Sequence, residues 1–150
     1  MILDRRELIK MLGIVYVLSF GLNLVWEMLQ MPLFRGMDWS SASWTLCTVA
    51  SLGDAAFSAA AYAVLALRHR DTTWVCRRDS RDVLLVIAAG GLMSTVGESM
   101  GLSLGWWSYS PMMPVMPGLE VGSASLVQLA ILTLLSFEIL RALKLSRQRA

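Results

Sequence analysis

The stretch MSTVGESMGLSLGWWSYSPMMPVMP, residues 93–117, joins two environments. Its first part is apolar and glycine-rich and carries one carboxylate, Glu98. Its second part is an aromatic, proline-spaced loop without charge. An apolar helix with a single acid that opens into tryptophans reads as the end of a membrane span near the water boundary. The rest of the chain fits that reading. Its 150 residues are 56% hydrophobic, with a mean hydropathy of +0.59, well above soluble composition. The apolar residues fall in four blocks between charges, where a soluble bundle would show polar stripes. About 20 residues cross about 30 Å of hydrocarbon, so the expectation is one all-α domain over 1–150, a four-transmembrane-helix bundle with spans at about 11–31, 44–67, 82–102 and 119–140.

Local signals mark the ends. Asp4-Arg-Arg-Glu7 has capping-box spacing, and Pro32 sets the end of the first span. Glu27 and Gln30 follow the first apolar run without a small-residue cleavage site, which argues against a signal peptide. Ser80 is placed to cap the third span. Pro111, Pro114 and Pro117 recur every third residue and favour an extended loop. Small residues at Ser51, Ala55, Ala59 and Ala63, and glycines at Gly97, Gly101 and Gly105, give four-residue stripes that suit close helix approach. The glycine stripe is the candidate surface for a homo-oligomer.

Charge sets the orientation. Arg5, Arg6 and Lys10 precede the first span, the loop between the second and third is the most charged, and Arg141, Lys144, Arg147 and Arg149 follow the fourth. The first loop holds only Arg35 as a base, and the third holds none. The positive-inside rule then puts both termini in the cytoplasm and Trp39, Trp106, Trp107 and Tyr109 outside. A bacterial cytoplasmic (inner) membrane is the expected location. The net charge is only +2, and no basic arm with interleaved aromatics supports nucleic-acid binding. Cys47 and Cys76 fall on opposite sides in this topology and form no C-x-x-C, and His69 is the sole histidine, so neither a zinc site nor a bis-histidine haem is expected. No metal and no cofactor is assigned.

Carboxylates inside a span cost about 2.5–3.5 kcal/mol on insertion scales and usually face inward for a reason. Glu27, Asp54 and Glu98 lie on three spans, and Gln128 adds an amide on the fourth. At 1.5 Å per residue, Glu27 and Glu98 fall about 8 Å, and Asp54 and Gln128 about 2 Å, to the outer side of mid-span. Asn23, Glu27 and Gln30 share one helix face, with Trp26 beside them. Cys47, Ser51, Asp54 and Ser58 share a second, Gly91, Ser94, Glu98 and Gly101 a third, and Val121, Ser125 and Gln128 a fourth. The expected result is a polar cavity between the helices, open outward or laterally and capped by the Trp106–Tyr109 loop. The plain alternative is that these groups only tie helices together, at about 0.6–2 kcal/mol each.

A neutral carboxylic acid beside an ionised one can donate and recover a proton near neutral pH. That chemistry suits a lipid or isoprenoid substrate, as an isomerase, cyclase or hydratase. Glu98 and Glu27 would be the acid–base pair and Asp54 would adjust their proton affinity. Asn23, Trp26, Gln30 and Gln128 would position the substrate, with Trp107 and Tyr109 at the mouth. The same groups also fit a proton-coupled small-molecule or cation transporter, and the glycine stripe fits a non-catalytic membrane assembly subunit.

Two resemblances bear on this. Asn23-Leu-Val-Trp26-Glu27 with Gln30-Met-Pro32, Gly53-Asp54, and Glu98 followed by Trp107-x-Tyr109-Ser110-Pro111, Met113-Pro114 and Pro117 resemble a family of small four-helix bacterial integral membrane proteins. That resemblance implies the four-span fold and no particular activity. Glu98-x-x-Gly101-x-x-x-Gly105-x-Trp107-x-Tyr109 is similar to a short segment of membrane carotenoid hydratases, which implies protonation of a polyene with Glu98 as the acid.

The orientation is directly testable. Alkaline phosphatase fused after Met112 should be active, and the same enzyme fused after Asp79 or Lys144 should be inactive. The reverse pattern would invert the assignment.

Overall fold

The computed structural model describes residues 4–149, with side chains through Ser146, so the basic side chains of Arg147 and Arg149 lie outside the described set. Four helices follow in chain order: α1 (Arg5–Gln30), α2 (Ser41–His69), α3 (Ser80–Ser103) and α4 (Ser123–Arg149). All four are long and apolar enough to cross a membrane. The chain therefore has the all-helical architecture of a multi-pass membrane protein.

The helix ends follow side-chain chemistry. Asp4 accepts from the backbone N–H of Arg6 at 2.9 Å and starts α1. Pro32 lies in the short 3-10 turn Met31–Leu33 that ends it. Ser40 caps α2, and Arg70 closes it in the left-handed conformation at φ 51°. The cap of α3 is Asp79, one residue before the expected Ser80. Asp79 and Asp82 exchange backbone N–H bonds in a reciprocal capping box, which Ser80 could not complete because the residue three on from it is Val83. The fourth helix begins at Ser123, later than the expected 119, because the preceding loop folds back on itself.

Packing gives the bundle its shape. α1 lies between α2 and α4, and α4 between α1 and α3. α2 and α3 make no extensive contact along their length, so a seam stays open between them. They are tied at one end, where buried Asp82 of α3 receives Arg68 at 2.8 Å and His69 at 2.9 Å from the end of α2. That end, with the N-terminus and residues 70–79, is called the basic end here. Its interior is apolar and tightly filled. Trp74, on the short turn Trp74–Cys76, inserts between Tyr62 and Phe137 with ring centroids 5.4 and 5.5 Å away, and Met11, Val15 and Leu140 complete the cluster. Further ion pairs, Lys144–Glu7 and Arg78–Glu138, tie α1 and the 70–79 loop to α4.

The opposite, aromatic end is closed by loops. Arg35 N–H donates to Ser108 O at 2.8 Å and Ser110 N–H to Leu33 O at 2.9 Å, pairing the first loop with the third. Residues 104–122 do not run as an extended proline rod. They form a hairpin in which Met116 N–H donates to Val121 O at 2.8 Å and Ser123 N–H to Pro114 O at 2.8 Å. The backbone reverses through Gly118 and Glu120, both at positive φ. Prolines set φ locally, but the bonds between flanking residues decide the path.

The small-residue stripes also differ from expectation. On α2 the buried face runs Cys47, Ser51, Ala55, Ser58, Tyr62 and Leu65, because a strict four-residue spacing drifts about 40° per step around a helix of 3.6 residues per turn. Ala59 and Ala63 are only half-buried. Gly97, Gly101 and Gly105 present no common face. Gly97 is exposed, Gly101 is covered by the Trp107 indole, and Gly105 lies beyond the helix end at φ 70°. The close approach of α3 is at Gly90 instead. A Cβ there would meet the Ala130 Cα of α4 at 2.8 Å.

Gly90→Ala should therefore lower the unfolding free energy by about 1–3 kcal/mol, an overpacking cost, in denaturant titration of the detergent-solubilised protein. Gly91→Ala, whose new methyl would face open space, should be near neutral. Equal effects at the two positions would contradict the packing described.

Candidate functional site

The site is built around the carboxamide of Gln128. Its side chain on α4 is buried and reaches oxygens on two other helices. Nε2 donates to Asn23 Oδ1 at 3.1 Å and Glu27 Oε1 at 2.9 Å on α1, and to Asp54 Oδ2 at 3.1 Å on α2. Its Oε1 accepts from Gln30 Nε2 at 3.0 Å. Trp26 Nε1 donates to Gln30 Oε1 at 3.2 Å, fixing that amide. An amide nitrogen carries two hydrogens, so three acceptors around Gln128 exceed its donors.

A chain of hydrogen bonds continues toward mid-bundle. Asn23 Nδ2 donates to Ser19 O at 2.9 Å and Oγ at 3.1 Å. Ser19 Oγ donates to Ser58 Oγ at 2.7 Å, and Ser58 meets Thr133 Oγ1 at 2.7 Å. The next layer toward the basic end is the apolar cluster of Tyr62, Trp74 and Phe137.

Glu98 belongs to a separate arm of the site. Tyr109 Oη donates to its Oε2, and Gly122 N–H donates to Tyr109 Oη at 2.8 Å. Burial, followed by the bond to Glu98, pushes the Tyr109 phenol above its ordinary range, which keeps it a donor. Phe34 packs on Tyr109 at 5.6 Å and on Trp107 at 6.5 Å. Ser125 and Trp107 border Glu98, yet Ser125 Oγ and Trp107 Nε1 are buried without a hydrogen-bond partner.

The two arms meet in one cavity of about 320 Å³. Glu27, Asp54, Glu98, Gln128, Ser125 and Trp107 supply its polar wall. Phe57, Met93, Met100, Leu129 and Trp106 supply much of the rest, and the cavity lies where α2 and α3 make no extensive contact with each other. A smaller void of about 40 Å³ also has both Glu27 and Glu98 on its wall, with Trp107 and Cys47. Among the described lining residues there is no Lys, Arg or His. Among the described residues no group of three His, Cys, Asp or Glu is placed to hold a metal ion.

The structure thus brings Glu27, Asp54, Glu98, Gln128 and Trp107 to one cavity. Asn23, Trp26 and Gln30 stand behind it, supporting Gln128, and Tyr109 supports Glu98 from the loop side. Ser125 was visible on the Gln128 face of α4, though not as part of a site. Ser19 and Thr133 were missed. The Ser19–Asn23–Glu27 spacing could have found the first, but nothing in the sequence marks Thr133. No family model, curated protein or solved structure matches the chain. Fold and site together define a bundle of four helices long and apolar enough to cross a membrane, with an acid–amide pocket where α2 and α3 stand apart.

Losing the central donor should be costly. Gln128→Leu should destabilise the protein by about 1–3 kcal/mol, because buried acceptors lose their partner. A double-mutant cycle with Gln30→Leu should show coupling of about 0.6–2 kcal/mol. Additive effects would mean that the amides act independently.

Proposed function

We propose that this chain is a membrane enzyme of the bacterial inner membrane, with both termini in the cytoplasm, that carries out acid–base chemistry on a lipid or isoprenoid. The observation that carries this reading is the shared cavity. Glu27, Asp54 and Glu98 face one space whose remaining walls are largely apolar and which lies where α2 and α3 stand apart. A substrate confined to the bilayer reaches such a site without crossing water.

Glu98 is the acid and Glu27 the base. A protonated Glu98 delivers its proton to a substrate double bond, and the electron pair of that bond forms the new C–H bond. The adjacent carbon becomes cationic, and nearby carboxylates stabilise that charge. Loss of a neighbouring proton to Glu27 gives an isomerised alkene, attack by another double bond followed by loss of a proton to Glu27 gives a ring, and addition of water followed by loss of its extra proton to Glu27 gives an alcohol. Tyr109 positions Glu98, and Gln128 holds Glu27 next to Asp54. Proton-coupled transport is less well supported, because the hydrogen-bonded chain through Ser19, Ser58 and Thr133 meets the apolar layer of Tyr62, Trp74 and Phe137.

Glu98→Gln and Glu27→Gln should each lower turnover by about 10²–10⁴-fold, the usual contribution of a positioned acid or base. Lipid and pigment extracts of cells carrying either variant should accumulate an unsaturated precursor at unchanged protein levels. A deletion strain with an unaltered lipid and pigment profile would overturn the assignment.

A further inference from the structure

The void of about 40 Å³ lies beside the main cavity, under the loops of the aromatic end. Phe34 and Met37 of the first loop and Leu46 of α2 give it an apolar wall, and Glu27 and Glu98 line it from α1 and α3. Glu27, Ala50, Glu98 and Trp107 line the main cavity as well, so they form the partition between the two spaces. The same two carboxylates therefore border a large apolar-walled space on one side and a small one on the other.

Size and lining select the occupant of the small space. A buried water takes up about 10–15 Å³ of such room and needs about two to four polar partners. The void thus has room for about three waters at most. Apolar voids stay dry, but this one has two acids on its wall. Gln128 already donates to Glu27 Oε1, and Tyr109 to Glu98 Oε2. An ionised carboxylate has about four lone-pair sites, so each acid keeps room for a further donor. The Cys47 thiol, on the same wall, adds a weak third partner.

The chemistry proposed above leaves a need that such water meets. Glu98 gives a proton and Glu27 receives one, so each turnover ends with the pair reversed. A hydrocarbon in the main cavity carries no proton between them. We infer that water in the small void hydrogen-bonds Glu27 and Glu98 at once and returns the proton from base to acid. Glu27 gives its proton to the water oxygen, while another O–H bond of that water breaks and its proton passes to Glu98. Water is regenerated, and one proton has moved from Glu27 to Glu98. The partition keeps this water from the substrate, so it acts as a relay and not as a reactant. The direction of return rests on the acid–base roles proposed above, whereas the water site does not.

Infrared difference spectra between acid and neutral pH test both parts without substrate. They are recorded on the detergent-solubilised protein in ordinary water and in water carrying a heavy oxygen isotope. The wild type should show an isotope-sensitive water O–H band that shifts in both Glu27→Gln and Glu98→Gln. No such band, or one that ignores either variant, would overturn the bridging site. Cys47→Met, whose longer flexible side chain fills the void, should lose the band, and Cys47→Ser, which keeps the room, should retain it. A band that persists in Cys47→Met would also overturn the site. After a pH jump, the Glu27 and Glu98 carboxyl bands should change together in the wild type and in Cys47→Ser. In Cys47→Met their rates should separate by about tenfold or more, equal to about 1.4 kcal/mol on the barrier. Rates that stay together there would overturn the relay. An unaltered lipid profile in the deletion strain would remove the catalytic reading and leave the water bands untouched, so the two fail separately.

Discussion

One nitrogen atom sets the geometry of this bundle. Gln128 Nε2 sits among oxygens of Asn23, Glu27 and Asp54, and the two amides are buried, so they meet protein partners and not solvent. Meeting it fixes the rotation of α1 and α2 about their own axes and the height of α4 against them. The Ser19–Ser58–Thr133 contacts repeat the constraint one layer away. α3 takes no direct part in the Gln128 network. It is held by a close backbone approach at Gly90, by Asp82 at its start and by Tyr109 near its end. Three helices locked by amides and one attached at separate points leave a seam on one side.

The two ends of the bundle divide the work. Trp74 and Phe137 fill the basic end with aromatic surface, and ion pairs surround it. That end holds the buried apolar cluster of Tyr62, Trp74 and Phe137. The aromatic end exchanges filled volume for polar groups and a cavity. Loop pairing through Arg35, Ser108 and Ser110 compensates by holding the lid in one place.

Much of this was legible in the sequence for a local reason. Hydropathy blocks define the helices, and side-chain spacing defines faces, and both are properties of neighbouring residues. The depth of Glu27, Asp54, Glu98 and Gln128 follows from counting along each span. What the sequence could not reveal depends on partners distant in the chain. The order of helices around the bundle decides which pair is left apart, and no local pattern in α2 or α3 records it. The glycine spacing at 97, 101 and 105 was misleading because the helix stops at Ser103, where the chain turns back to lay Trp107 over Gly101. Trp74 sat inside a charged segment that composition alone marks as exposed. The hairpin at 113–123 overrode the proline spacing because Met116 and Ser123 found backbone partners across it.

The open seam changes what affinity means for this molecule. For a lipid substrate of the kind proposed, a site approached from the side would draw on a two-dimensional solvent that is itself made of amphiphiles. Every bulk lipid would compete for the cavity at enormous local abundance, so occupancy would follow the mole fraction of the ligand in the leaflet and not its aqueous concentration. Tail burial would then discriminate little, since a tail leaving the bilayer for the cavity exchanges one hydrocarbon for another. Selection would fall on the few atoms at the polar end, where Glu27, Asp54 and Glu98 share one wall.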